Sequence, residues 1–138
     1  DNWVPDENYQ AVANSQVTDA LVRAAEELKL PHYIGTEATT SCFVAGQGRL
    51  DINGYIPPHM KKRHESLIER KVLCYSMEAA TLFTWCKLIG RCPAGAINAI
   101  YGNRITNEFE AKGDEDATRI AIQALLYLDN TIAKSTYL

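Results

Sequence analysis

The sequence predicts an α/β fold, a layered sheet with helices packed against it. Three observations carry this. Segments with helical periodicity alternate along the chain with segments of strand character, instead of clustering by type. The 138 residues, 46% hydrophobic and 22% charged, are those of one ordinary globular domain. Residues 92–102, Cys-Pro-Ala-Gly-Ala-Ile-Asn-Ala-Ile-Tyr-Gly, are apolar without clean alternation, as a central strand buried on both faces is. The chain is expected to be a single α/β unit over 1–138, with no internal repeat, low-complexity segment or linker. Only three or four strands are legible, fewer than a sheet covered on both faces usually needs, so the unit is expected to be part of a larger fold.

Residues 1–14 are polar and irregular and contain Pro5. Ser15 is a capping residue for a helix over 17–29, whose inner face is Leu21, Ala24, Ala25 and Leu28; Pro31 stops it. Residues 32–40 are rich in strand formers. A turn with two glycines follows over 42–51, and Pro57-Pro58 breaks the chain again. Residues 60–70 read as a charged, exposed helix and 72–75 as a short buried strand. A helix over 78–89 places Ala79, Leu82, Phe83, Cys86 and Ile89 on one face, with Gly90 as its C-terminal cap. After the strand 92–102 and a loop over 103–112, Asp114-Glu115-Asp116 put negative charge where a helix dipole favours it. That last helix turns Ala117, Ile120, Ala121, Ala124, Leu128 and Ile132 inward.

Composition narrows the function. Lys and Arg number 14 against 17 Asp and Glu, a net charge of -3 with a pI near 5.6, so no broad basic face is expected and no nucleic-acid partner. No apolar run reaches the ~18 residues that span a bilayer, and Asp1-Asn2-Trp3 does not open a signal peptide, so neither membrane nor export is expected. The cysteines are Cys42, Cys74, Cys86 and Cys92; none form a CxxC pair or a zinc spacing with histidine. They read as buried, reduced thiols in a cytoplasmic protein, and the absence of a glycosylation sequon agrees with that.

Three short constellations carry candidate chemistry. Gln47 and Arg49 lie two apart in a loop after a strand, on the same side if the backbone is extended. An amide with a guanidinium matches a planar ring bearing an N–H between two carbonyls, and Phe43 is near enough in sequence to stack on that ring. A solvated polar loop with a core Phe is the plainer account of the same spacing. Glu78, in Tyr75-Ser76-Met77-Glu78-Ala79-Ala80-Thr81, stands at the first turn of a helix directly after a strand, at the sheet edge where α/β folds bind ligands. There it can accept two hydrogen bonds from a cis-diol, or simply complement the helix dipole. Asn103-Arg104 follows the long strand at the equivalent edge, where a plain surface Arg is the alternative. Gly46-x-Gly48 lacks the third glycine of a dinucleotide loop, and no Walker loop or nucleophile elbow is present. His59 and His64 are five apart, so they do not share a helix face, and are read as ordinary surface residues.

Over residues 9–130 these segments resemble the C-terminal half of the nucleoside phosphorylase family, in its uridine-cleaving branch. Phe43-Val44-Ala45-Gly46-Gln47-Gly48-Arg49-Leu50-Asp51 is similar to the family's uracil-binding loop, Met77-Glu78-Ala79-Ala80-Thr81 to its ribose motif, and Asn103-Arg104 to the pair after its last long strand. The resemblance implies a central mixed β-sheet flanked by helices in three α/β/α layers, of which this chain carries part. It implies reversible phosphorolysis of uridine to uracil and ribose 1-phosphate. Gln47 and Arg49 would read the pyrimidine edge, Phe43 stack on it, Met77 pack against the nucleoside and Glu78 hold the sugar hydroxyls. Tyr101 would line the base pocket, and Arg104 would support Arg49, partly through water. Phosphate is the co-substrate; no metal or organic cofactor is implied, and the partner is a second copy in a dimer or hexamer.

Three departures accompany the resemblance. The Gly-rich phosphate loop of such enzymes, which lies in their N-terminal half, is not found in this chain. Ser76 stands where the family usually has an acid, and Tyr101-Gly102 where pyrimidine enzymes carry aliphatic residues. Two other readings stay open: a purine-cleaving phosphorylase or nucleosidase relative, and a catalytically silent nucleoside-binding or structural subunit. Against the purine branch, Gly102-Asn103 offers no carboxylate to protonate a leaving base.

Overall fold

Asn14 rather than Ser15 opens the first helix. Its backbone is extended (φ -68°, ψ 130°), its Oδ1 accepts from the Val17 N–H at 3.2 Å, and Ser15 is already helical. The computed structural model that shows this describes Val4 and residues 9–135, with backbone only from residue 130 on. These residues divide into two units, one of Ile34–Ala79 with Ile100–Lys112 and the other of the remaining segments.

The core of the second of these is a helix pair. Helix α1 (Ser15–Glu27) ends two residues earlier than its periodicity suggests, because Lys29 takes a left-handed conformation (φ 54°) before Pro31 is reached. The last helix, numbered α4 below (Asp114–Ser135), starts on the acidic triplet as expected. Its Ile120 and Ala124 are buried against Ala20, Ala24 and Ala25 of α1, with Leu21, Leu28, Leu30, Ile97, Tyr127 and Leu128 around them. Alanines on both sides let the two backbones approach closely. At the rim, Glu27 accepts from the Tyr127 hydroxyl and pairs with Arg23 at 2.9 Å. The inward placement of Ile132 lies outside the described side chains.

The apolar segment 92–101 is not a strand. Strands need neighbours, and among the described residues just two strands pair. Pro93 removes one donor, and the Ala94 carbonyl is taken at 2.7 Å by the Asn14 N–H that precedes α1. Gly95 permits this approach, since a Cβ there would lie 2.6 Å from Val17 Cγ1.

In the other unit, β1 (Glu37–Thr39) runs parallel to β2 (Cys74–Ser76), with Glu37 opposite Cys74, Ala38 opposite Tyr75 and Thr39 opposite Ser76. The expected strands 32–40 and 72–75 are thus shortened to the rungs they share, and the second is shifted by one residue at its end. Helix α2 (Pro58–Glu69) has Pro58 at its first turn, buries no residue completely, and packs on a 3-10 turn over Ala45–Gln47.

Helix α3 (Ala79–Trp85) is shorter than the expected 78–89. It widens into a π turn, Cys86–Gly90, closed by Arg91 in the left-handed region (φ 46°) rather than by Gly90. The change of winding carries Ile89 out of the inner face: Ala79, Phe83 and Cys86 are buried, whereas Leu82 and Ile89 are exposed. Parallel strands with helices make this an α/β chain; the wider mixed sheet is not seen among the described residues. No helix among them is long and apolar enough to cross a membrane.

Candidate active site

The candidate residues sit on three segments of one unit, and the β1–β2 pairing joins two of them. Beyond the last rung, the Thr40 N–H donates to the Ser76 carbonyl at 3.0 Å. The loop carrying Phe43, Gln47 and Arg49 therefore leaves the sheet at the same edge as Met77 and Glu78. This is the C-terminal edge of parallel strands, where ligands of α/β folds bind.

The loop is not extended. Ala45–Gln47 make a 3-10 turn that Gly48 closes in the left-handed region (φ 75°). Gln47 and Arg49 differ in burial: Gln47 is buried, 5% exposed, while Arg49 is exposed. The extended backbone that would set side chains two apart on one side is replaced here by a turn. Gly46 has room for no side chain, since a Cβ there would run into Thr40 Oγ1.

A third segment completes the site. Gly102 bridges to Phe109 in antiparallel fashion, and the Asn103 carboxamide accepts from the Ile105 and Thr106 N–H groups at 2.9 and 3.2 Å. This tight turn aims Arg104 inward, and its Nη2 donates to Gln47 Oε1 at 2.8 Å. The resemblance casts Arg104 as support for Arg49; its hydrogen bond goes to Gln47. Because a guanidinium only donates, the bond fixes which way the amide faces, with its oxygen toward Arg104. That oxygen keeps a second lone pair, and the amide nitrogen remains a donor.

The guanidinium carbons of Arg49 and Arg104 lie 5.7 and 5.8 Å from the centre of the Phe43 ring. Neither arginine has an ion-pair partner among the described residues. Burial, and then the repulsion of Arg49, lower the pKa of Arg104. Two cations set around one aromatic face, without an ion-pair partner among the described residues, favour a planar ligand that carries or develops negative charge. Phe43 is itself half-exposed and open to stacking.

Met77 is partly exposed, and Glu78 stands just before α3 with Oε2 accepting from the Met77 N–H at 3.1 Å. Tyr101 lies edge-on to Phe109, ring centres 6.4 Å apart. The departure at Ser76 has a local answer: its hydroxyl donates to Glu37 Oε1 at 3.0 Å, so an acid reaches this position from β1. Among the described residues no cluster of His, Cys, Asp and Glu is arranged to hold a metal.

No family model matches the chain. Individual relatives do. A uridine phosphorylase of Thermococcus kodakarensis is 41% identical over 120 residues, 87% of this chain and 43% of that protein. Those of Haemophilus influenzae and Escherichia coli K12 are 33% and 31% identical, over 89% and 84% of this chain and 50% and 48% of theirs. The chain is a homologue of the uridine phosphorylases. It spans about half the length of these curated relatives. The homology to uridine phosphorylases thus covers most of this chain, while leaving the other half of each relative unmatched.

Sequence reasoning missed His64 and Tyr75 in this uridine phosphorylase homologue. His64 Nδ1 lies 2.6 Å from the Tyr75 hydroxyl, with the rings stacked 5.9 Å apart. Burial raises the Tyr75 pKa, opposed by the charges of Arg63 and Arg104. The His64 ring fills the space beside Gly48, where a Cβ would come within 2.5 Å of it. The partner of His64 is not His59 on the same helix but Tyr75, eleven residues away on a strand. The one available signal was Gly48 itself, a glycine that closes a turn against a neighbour.

Proposed function

We propose that the complete protein is a uridine phosphorylase, converting uridine and phosphate reversibly to uracil and ribose 1-phosphate. This chain carries the base and ribose part of its site. The observation that carries the reading is the Gln47–Arg104 hydrogen bond beside Arg49 and Phe43, in a chain 41% identical to a uridine phosphorylase.

In this reading Phe43 stacks on uracil, and Gln47 faces its edge with one acceptor and two donor positions in a fixed orientation. Met77 packs against the nucleoside, Glu78 accepts from the ribose hydroxyls and Tyr101 closes the base side. The glycosidic bond breaks ahead of phosphate attack, so negative charge spreads onto the uracil carbonyls while the sugar becomes oxocarbenium-like. Arg49 and Arg104 meet that charge, the first by facing the ring and the second through the amide it polarises. Preorganised donors at a developing anion are often the largest catalytic term, and no general acid is then required. Asn103, where a purine enzyme would need an acid, spends its side chain on two backbone N–H groups, which favours the pyrimidine reading.

The proposal includes the fold and setting. The two-stranded sheet belongs to a larger mixed sheet in three α/β/α layers, with residues 1–138 as one part of a single nucleoside phosphorylase domain. The enzyme is a cytoplasmic homo-oligomer, a dimer or hexamer, with phosphate as co-substrate and no metal or organic cofactor. The test is phosphate-dependent release of uracil from uridine by the complete protein, with inosine as the competing substrate. Cleavage of inosine in preference to uridine would overturn the reading.

A further inference from the structure

Away from this site, the end of α3 brings two cysteines together. The π turn directs the N–H groups of both Arg91 and Cys92 at the Cys86 carbonyl, the latter at 3.1 Å, so the chain doubles back onto the residue where the turn began. Gly90 leaves the space that the Cys92 sulfur occupies: a Cβ there would lie 3.2 Å from Cys92 Sγ. The two residues differ in access. Cys86 is 8% exposed and Cys92 is open to solvent. Both are free thiols. The Cys86 thiol is hydrogen-bonded to Cys92, and that bond, then burial, pushes its pKa up.

We infer that Cys86 and Cys92 form a redox-active dithiol that reacts with small-molecule disulfides and closes into an intrachain disulfide. The exposed Cys92, as thiolate, attacks one sulfur of a disulfide RSSR; the S–S bond breaks and RS⁻ leaves, taking up a proton from water. Cys86 then gives its proton to solvent and attacks the Cys92 sulfur of the mixed disulfide, expelling the second RS⁻. Two protein thiols are oxidised by two electrons, RSSR is reduced to two RSH, and no other oxidant enters. The buried partner is the resolving thiol because it meets no solute directly, while the turn that holds the Cys92 N–H on the Cys86 carbonyl keeps it beside Cys92. Closure ties Arg91, held in the left-handed region, into a short ring and locks the end of α3 in its π winding.

Lys87 and Arg91 separate the two cysteines, so trypsin reads the link directly. The complete protein is incubated with oxidised glutathione, quenched in acid, alkylated and digested. Peptides 72–87 and 92–104 are expected as one disulfide-linked species, with fragmentation placing the bond at Cys86 rather than Cys74, and dithiothreitol separates them. Alkylation of Cys86 and Cys92 should fall to background. Cys42, an exposed thiol whose pKa is lowered by backbone N–H groups, that of Gly46 foremost, reports any mixed disulfide on a different peptide. Cys92→Ser, at an exposed position and checked by circular dichroism, should abolish the linked species and leave Cys86 fully alkylated after denaturation. The inference is overturned if wild-type Cys86 and Cys92 both remain alkylatable, if glutathione stays on Cys92, or if the bond maps to Cys74.

Discussion

Gln47 is held in a way that a surface polar residue is not. It is buried, its amide is oriented by Arg104, and two guanidinium groups converge near it on Phe43. If the site draws charge from a leaving base, removing either donor costs more in the transition state than in the ground state. Gln47→Ala and Arg49→Ala in the complete enzyme are therefore expected to lower kcat as well as raise KM, by about 1–3 kcal/mol in kcat/KM. Steady-state uridine phosphorolysis measures this, beside a melting curve; Glu65→Ala on exposed α2 is the neutral control, within ~0.5 kcal/mol. Two folded variants with wild-type kcat/KM would remove Gln47 and Arg49 from the site. Gly48 tests the floor beneath it. An Ala there meets both a left-handed backbone and the His64 ring at 2.5 Å, so Gly48→Ala is expected to destabilise by roughly 1–3 kcal/mol. Shrinking the ring with His64→Ala should recover part of that loss in a double-mutant cycle by thermal melting. No recovery means that the two residues do not touch. The loop residues were legible because they are neighbours in sequence, and their chemistry shows in their side chains. The Gln47–Arg104 bond spans 57 residues and depends on a 3-10 turn and an Asn103-capped turn, so no local pattern announced it.

Elements were legible in proportion to how local their stabilisation is. Helix α4 shows its periodicity and its acidic first turn in the sequence alone, and it forms where they place it. The segment 92–101 has a strand's composition and no strand's structure, because a strand is made by its neighbours and the described residues supply none for it. The boundary of α1 is an intermediate case. Both Asn14 and Ser15 are good capping residues, and the choice between them is settled by which one stays extended. The structure assigns the cap to Asn14, so Asn14→Ala is expected to cost about 1 kcal/mol, most of it from the orphaned Val17 N–H. Ser15→Ala, now inside the first turn, is expected to be neutral or slightly stabilising, as alanine is the better helix former. Chemical denaturation of the two variants distinguishes them; equal losses would return the cap to Ser15.

At the scale of the whole molecule, the telling feature is what stays uncovered. Among the described residues no large side chain is fully buried, and the core of the helix pair is built mainly from alanines. Leu82, Leu88 and Ile89 around the end of α3, and Ile122, Leu125 and Leu126 on α4, are all about half exposed or more. Each such side chain forgoes about 1 kcal/mol, roughly half of what full burial would contribute. Net stabilities of domains are only about 5–15 kcal/mol, so this many exposed apolar groups is a large deficit. The relatives are about twice as long as the match, and a further segment of comparable size has the surface to close it. On the proposed function, the same segment is expected to supply phosphate binding, for which this chain shows no Gly-rich loop. Stability and activity are therefore expected to be restored together. The 138-residue chain by itself should unfold with a shallow denaturant dependence, since the slope follows the surface that unfolding exposes. It should release no uracil from uridine and phosphate. Co-expression with a segment corresponding to the relatives' unmatched half should steepen the transition and bring phosphorolysis with it. Robust turnover by a mass-verified 138-residue chain would show that the site needs nothing beyond what it holds. A sharp transition without turnover would separate the two deficits and confine the role of such a segment to phosphate binding.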